Sequence, residues 1–395
     1  MSIWTTRRDW NCKGIFTGWS ALAGLIVLAL VCGSAGNAMA FVNVLDFGAK
    51  SSNSFDSGPA IQAAINSATT NGDTVYLPAG IYRIGQPLVV SHGRGVRLLG
   101  DGEYATAVQS SWSATQPLLQ FVDGVDNKVE NLSLWGQAKN PASAGIECDS
   151  DGNGPASHLT VRNVNIGSPA STNVIDGIKF VDTTGANNAN DQGFFDNVTI
   201  ANFGHAAYSF THPSSAFHTI IGGVVEGGPI GVYSQGGAFK IVGTTFTIDD
   251  VNFDLENSSN TASRGYPNPV AIADIASEGN SALLRTGTDP MMVTMTGVDE
   301  KGSAFNIPII NFTSAGSLTV SNSFFFYLGN NVNLAFNGGP SQMVNLTNNF
   351  IDLGNVSVSG GNVISQGNCF SHPVVLQQSG TPRITSSDQC NPLLG

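Results

Sequence analysis

From residue 41 onward, apolar and polar residues alternate in short runs that return at irregular intervals and share one form. Val129-Glu130-Asn131-Leu132-Ser133-Leu134 is followed by Val161-Arg162-Asn163-Val164-Asn165-Ile166 and by Phe195-Asp196-Asn197-Val198-Thr199-Ile200. Val320-Ser321-Asn322-Ser323-Phe324 and Leu346-Thr347-Asn348-Asn349-Phe350 come later. Asn131, Asn163 and Asn197 are 32 and 34 residues apart, and Asn322 and Asn348 are 26 apart. Strand-like repeats at this period, with no helical pattern between them, predict a stacked β-solenoid. Asn tolerates left-handed backbone angles, and its amide can bond to an identical one on the next coil. The recurrent Asn is therefore read as a bend former, not a catalytic group.

A second recurring strand lies between those runs. Gly145-Ile146-Glu147-Cys148 aligns with Gly177-Ile178-Lys179-Phe180, Ala207-Tyr208-Ser209-Phe210, Gly231-Val232-Tyr233-Ser234 and Asn252-Phe253-Asp254-Leu255. Alternation sends Ile146, Ile178, Tyr208, Val232 and Phe253 inward. Glu147, Lys179, Ser209, Tyr233 and Asp254 then stack outward on rungs about 4.8 Å apart, on a solvated face whose charges contribute little to folding. The open first coil needs a cover. Asp56-Ser57-Gly58-Pro59 leading into Ala60–Ala68, with Ile61, Ala64, Ile65 and Ala68 at helical spacing, predicts a short amphipathic capping helix.

Ahead of this region, Arg7, Arg8 and Lys13 precede an apolar run from Ala21 to Val31, and Ala38-Met39-Ala40 offers a cleavage site. This is the form of a secretory signal peptide, so the mature chain is expected to start at Phe41 and to be secreted, extracellular or periplasmic. The expected organisation is a signal peptide over 1–40, a β-helix with its cap over 41–370, and a C-terminal cap or tail over 371–395. Charged residues are only 11% of the chain, yet 41% are hydrophobic, enough for a real core. Residues 1–40 hold three basic residues and one acidic, which leaves a formal charge of −14 on the remainder, against −12 for the whole. Such a surface disfavours nucleic acid and anionic lipid, and nothing after the signal is expected to insert into a membrane. A polyanionic glycan would need a local basic group or a cation. Of the cysteines beyond residue 40, Cys369 and Cys390 can close a C-terminal loop, leaving Cys148 as a small buried side chain.

Phe41-Val42-Asn43-Val44-Leu45-Asp46-Phe47-Gly48-Ala49, the Ala60–Ile65 helix and Val75-Tyr76-Leu77-Pro78-Ala79-Gly80-Ile81-Tyr82 together resemble the opening of the pectate-lyase-like superfamily. Within it the chain is most similar to the rhamnogalacturonase/epimerase-like group. The resemblance implies an all-β fold, a single right-handed parallel β-helix with an N-terminal capping helix, and a polysaccharide, usually acidic, along an outer groove. Members include lyases, hydrolases, epimerases and non-enzymatic proteins, so the fold does not choose among them. The family's sharpest hydrolase motifs are degraded here: Asn173-Val174-Ile175-Asp176 and Gly204-His205-Ala206 only echo them, and Arg383-Ile384-Thr385 lacks the Lys. The reading is a secreted enzyme that cleaves a glycan by β-elimination or hydrolysis, with a non-catalytic exported glycan- or envelope-binding β-helix as the alternative.

The outward stack supplies the candidate chemistry. Asp254 and Glu256 lie two residues apart on one strand, about 6.6–7 Å between Cα atoms, which suits an inverting glycosidase pair. A lyase instead needs a base beside the sugar carbon that loses its proton, and Tyr233 or Lys179 could serve. Asp176 completes the catalytic set, and Glu147, Asp182, His212 and Gln235 are candidate substrate contacts. Asp149-Ser150-Asp151-Gly152-Asn153-Gly154 matches the first half of a calcium loop, so Asp149, Asp151 and Asn153 are candidate Ca2+ ligands. Its twelfth position, Thr160, lacks the closing Glu, and a plain Asx turn explains the same residues.

Overall fold

The left-handed bends anticipated at Asn131, Asn163 and Asn197 exist, and they form one column that runs along the solenoid. In the computed structural model their φ angles are 57°, 49° and 52°, and the strand registers place Gly222, Gly243, Asp274, Gly297, Asn322, Asn348 and Gly367 on the coils that follow, all at positive φ. Only Gly, or a short polar side chain that can bond locally, takes this conformation cheaply. Asn163 Nδ2 donates to Asn131 Oδ1 at 3.1 Å, and Asn197 Nδ2 to Asn163 Oδ1 at 3.0 Å. The bend is thus also a ladder.

The structure describes residues 41–390, apart from Asn53 and residues 113–114, 152–153, 169–172, 184–189, 212–214, 249, 257–267, 303–306 and 327–331. Every strand pairing is parallel. Two stacks meeting at the bend column merge into a 23-stranded sheet, and the third stack is a separate 12-stranded sheet. The result is a right-handed parallel β-helix, only 5% helical. Gly58–Thr69 form the capping helix, and Ile61, Ala64, Ile65 and Ala68 are its buried face. They pack with Val44 and Val75 over the first coil, as the helical spacing required. Asp56 Oδ1 accepts from the backbone N–H of Gly58 and Gly85, tying the helix start to the first coil.

The 12-stranded sheet carries the inward column in the register read from the sequence. Ile146, Ile178, Tyr208, Val232 and Phe253 are consecutive partners, continued by Leu119 before them and Leu284 and Ile310 after, and all are buried. Val375–Ser379 and Arg383–Ser387 extend the two sheets to the C-terminal end. Cys369 and Cys390 are joined there by a disulfide, while Cys148 is a buried free thiol. Among the described residues no helix is long and apolar enough to cross a membrane.

Candidate functional site

The outward column of the 12-stranded sheet runs Gln120, Glu147, Lys179, Ser209, Tyr233, Asp254, Arg285 and Asn311, each paired with the next. The face is not the solvated surface the alternation suggested. Asp254 is 2% exposed, Asp176 5% and Glu147 7%, and Ser209 is buried as well. Neighbouring rungs close over these side chains, so each carboxylate must find a partner in place.

Arg285 supplies one. Its Nε and Nη2 donate to the two oxygens of Asp254 at 3.1 and 2.6 Å, and its Nη1 lies 3.8 Å from Asp250. Both Asp254 oxygens are thereby occupied. Glu256, exposed at the next outward position, accepts from the Tyr233 hydroxyl at 2.9 Å, and Gln235 Nε2 donates to that same hydroxyl at 2.7 Å. Burial, and then the bond to Glu256, push the Tyr233 phenol up to about 12. The inverting-pair expectation meets a difficulty here, because Asp254 and Glu256 are each engaged by a different neighbour and neither faces an open acid–base partner.

A second pair stands beside the first. His205 Nδ1 donates to Asp176 Oδ1 at 2.7 Å, and the His205 ring meets Tyr233 edge-on at 5.0 Å. The Asp176 bond fixes the tautomer and holds the imidazole above its ordinary value; burial opposes this, and the Asp254 charge adds to it. With Nδ1 committed, Nε2 is the nitrogen left to exchange a proton. Lys179 pairs with Glu147 at 3.6 Å, and Gln120 Nε2 donates to Glu147 at 3.1 Å. Burial nevertheless raises the Glu147 carboxyl, against the pull of Lys179.

Among the predicted residues, Asp176, Lys179, Tyr233, Gln235, Asp254 and Glu256 fall in one cluster, with Glu147 at its N-terminal end. Asp182 is half-buried just beyond the strand Val174–Val181. His212 lies outside the described residues. Of the candidate calcium ligands, Asp149 accepts from the Thr183 backbone and hydroxyl at 3.1 and 2.7 Å, and the Asp151 N–H donates to Asp123 at 3.0 Å. This is the bonding of a capped turn; Asn153 lies outside the described residues. Among the described residues, no group of three or more His, Cys, Asp or Glu is placed to hold a metal.

Two members of the cluster escaped the sequence reading. Arg285 was legible: carrying the outward column one rung past Asp254 reaches Ala282-Leu283-Leu284-Arg285. His205 stands in the sequence only within the degraded Gly204-His205-Ala206 motif; in the structure it lies within the strand Phe203–Phe210, opposite a register shift between Val174 and Asp176.

Residues 41–235 match the family described as rhamnogalacturonase A/epimerase, pectate lyase-like. The mannuronan C5-epimerase AlgE1 of Azotobacter vinelandii is 38% identical over 104 residues, which are 25% of this chain and 7% of that protein. AlgE4 of the same organism, also a mannuronan C5-epimerase, is 37% identical over 101 residues, 24% of this chain and 17% of the relative. The chain thus spans only a small part of the length of the curated relatives it matches. The N-terminal fragment of the bacteriophage Phi29 gene product 12 superposes over 92% of this chain and 67% of that one, with a TM-score of 0.64 at 12% identity. That likeness shows the fold alone. The opening cap, the stacked coils and the family match agree: over residues 41–235 this chain matches the pectate-lyase-like family of rhamnogalacturonase A and epimerase.

Proposed function

We propose that the protein is a polysaccharide-active enzyme that removes the proton beside the carboxylate of a uronic-acid unit, the step shared by β-elimination and by C5 epimerisation. The observation that carries this reading is the Asp176–His205 pair, whose imidazole is set edge-on against Tyr233, with Arg285 two rungs beyond Tyr233 in the same column. His205, neutral and bonded through Nδ1, takes the sugar proton on Nε2. Tyr233 keeps its proton at neutral pH, because its phenol is pushed up to about 12, and its O–H is the donor. Donation to the carbanion from the opposite face inverts the centre; donation to the departing glycosidic oxygen breaks the chain. Lys179 and Arg285 are the local cations that draw a uronate carboxylate into an otherwise acidic protein. Hydrolysis has weaker support, since both carboxylates that would serve it are tied to neighbours. The basic start, apolar run and Ala38-Met39-Ala40 further support export.

The test is a panel of uronans, polymannuronate among them, incubated with the purified protein in deuterated water. Deuterium at C5 of an intact chain, from epimerisation, or the ultraviolet absorbance of a new C4–C5 double bond, from elimination, is the expected result. New reducing ends with neither signal would overturn the mechanism in favour of hydrolysis. Binding with no turnover of any glycan would make the protein a non-catalytic binder.

A further inference from the structure

We propose a second, non-catalytic saccharide subsite at the N-terminal end of the groove, in a polar cavity apart from the His205–Tyr233 cluster. The cavity measures about 420 Å³ and is lined by Arg83, Gln109, Ser110, Trp135, Gln137 and Asn173, among others. Its walls are the ends of the paired strands Thr106–Ser110 and Lys128–Trp135 and the residue just before the strand Val174–Val181. Asn173 is therefore three positions ahead of Asp176, on the edge where the chain enters the 12-stranded sheet.

Three of the lining residues each carry a buried polar atom with no hydrogen-bond partner: Ser110 Oγ, Trp135 Nε1 and Asn173 Oδ1. Ser110 is fully buried and Asn173 is 2% exposed. Buried polar atoms are nearly always paired, and three unpaired ones, one donor-only, one acceptor-only and one hydroxyl, belong to the residues around this one cavity. The volume far exceeds the roughly 30 Å³ share of one water and falls in the range of small-molecule sites. A guanidinium, two carboxamides, a hydroxyl, an indole N–H and an amide oxygen make an alternating set of donors and acceptors beside one flat ring. A pyranose offers hydroxyls to the first and a C–H face to the second. Arg83 adds recognition of a uronate carboxylate. Gln137 is held for the task, its Nε2 donating to the Ser110 carbonyl at 2.8 Å.

Among the described residues, the lining contains no carboxylate, imidazole, amine, thiol or phenol, so these side chains can grip a sugar but supply no acid, base or nucleophile to act on one. Tyr233 stands three rungs further along the sheet than Ala142–Asp149, the first strand after Trp135, or roughly 14 Å at the rung spacing. A glycan reaching both sites would be held in one direction, with its reacting unit several sugars from the gripped one. The proposal rests on the glycan reading above but not on its reaction.

The experiment is calorimetric titration of a mannuronate hexasaccharide and a disaccharide into the wild type, Arg83→Gln, Trp135→Phe and His205→Gln. Thermal midpoints check that each variant is folded. Trp135→Phe keeps an aromatic ring and removes the N–H together with the pyrrole half of the indole. It and Arg83→Gln are expected to raise the hexasaccharide Kd roughly tenfold each, to leave disaccharide binding unchanged, and to raise KM without lowering kcat. His205→Gln is expected to lose turnover and keep hexasaccharide affinity. If the wild type binds the hexasaccharide and both cavity variants bind it equally well, the subsite is wrong and the glycan reading stands. If the wild type binds neither probe, both fall together.

Discussion

Arg285 holds both carboxylate oxygens of Asp254 from the next rung of the sheet, and Asp254 is almost wholly buried while the arginine is not. The pair is therefore asymmetric. Asp254 depends on Arg285 for its solvation, whereas Arg285 can turn back to water. Asp254→Asn should cost about 1–3 kcal/mol, the range for a charge-assisted bond at a partly exposed pair. Phe253→Ala, one residue earlier and facing the core, should cost about 3–5 kcal/mol by emptying packed volume. Denaturant unfolding of both variants checks this. A harmless Phe253→Ala would contradict the register.

His205 should titrate above the ordinary imidazole value of 6.5, because the Asp176 bond favours the charged ring. A raised folded value means that the pair's stabilisation is present below pH 6.5 and is lost as pH rises through the folded midpoint. Activity should move the other way. The base form of His205 accumulates as the proton leaves, so kcat/KM should rise across that midpoint and the midpoint should fall in Asp176→Asn. Imidazole resonances followed by NMR, beside the pH profile, test both; an Asp176→Asn variant with an unmoved midpoint would count against the dyad.

The sequence made the column legible but not its environment. Period-two alternation is a property of any strand, so Ile146, Ile178, Tyr208, Val232 and Phe253 could be assigned inward and their successors outward without tertiary knowledge. Whether an outward residue meets water depends on the rungs and turns around it, which alternation does not encode. That is why Asp254 and Glu147 were expected on a solvated face and are buried. The Asp176–His205 bond is less legible still. It rests on the register shift between Val174 and Asp176, which brings Asp176 opposite Ala206 and so beside His205, and nothing in the local sequence marks a shift of that kind. The bend column is the opposite case, since the Asn that recurs at that place declares its backbone angle directly, and Gly or Asp takes the same place on the other coils.

The disulfide closes a segment of 21 residues at the last coils. Constraining a loop of that length contributes about 3 kcal/mol in the chain-entropy model. Reduction, or Cys369→Ser with Cys390→Ser, should lower the unfolding free energy of the protein by an amount of that order, read from denaturant unfolding. Cys148 should stay unreactive to thiol reagents until unfolding, since burial raises its thiol well above the ordinary value and hides it from solvent. Labelling of Cys148 in the native state would contradict its placement.

Glu300 gives the sharpest pH test. It is fully buried on the strand Asp299–Lys301, beside Ser277, and burial raises its carboxyl to about 8 from 4.5, with Ser277 and Asn280 tempering the rise. Below pH 4.5 the group is protonated in both folded and unfolded chains and contributes no slope. Between pH 4.5 and 8 the folded chain holds a proton that the unfolded chain has released, so stability falls as pH rises. Above pH 8 both forms have lost it and the slope ends. The span corresponds to about 3–5 kcal/mol. Glu300→Gln has no proton to lose, so the comparison isolates this group from His205 and the other carboxylates, which titrate alike in both proteins. The difference in unfolding free energy between variant and wild type should be flat below pH 4.5, move in favour of the variant up to pH 8, and be flat again beyond. A difference independent of pH across that window would mean that Glu300 is ionised in the folded core, with its charge balanced by a group that the neighbouring Ser277 and Asn280 do not supply.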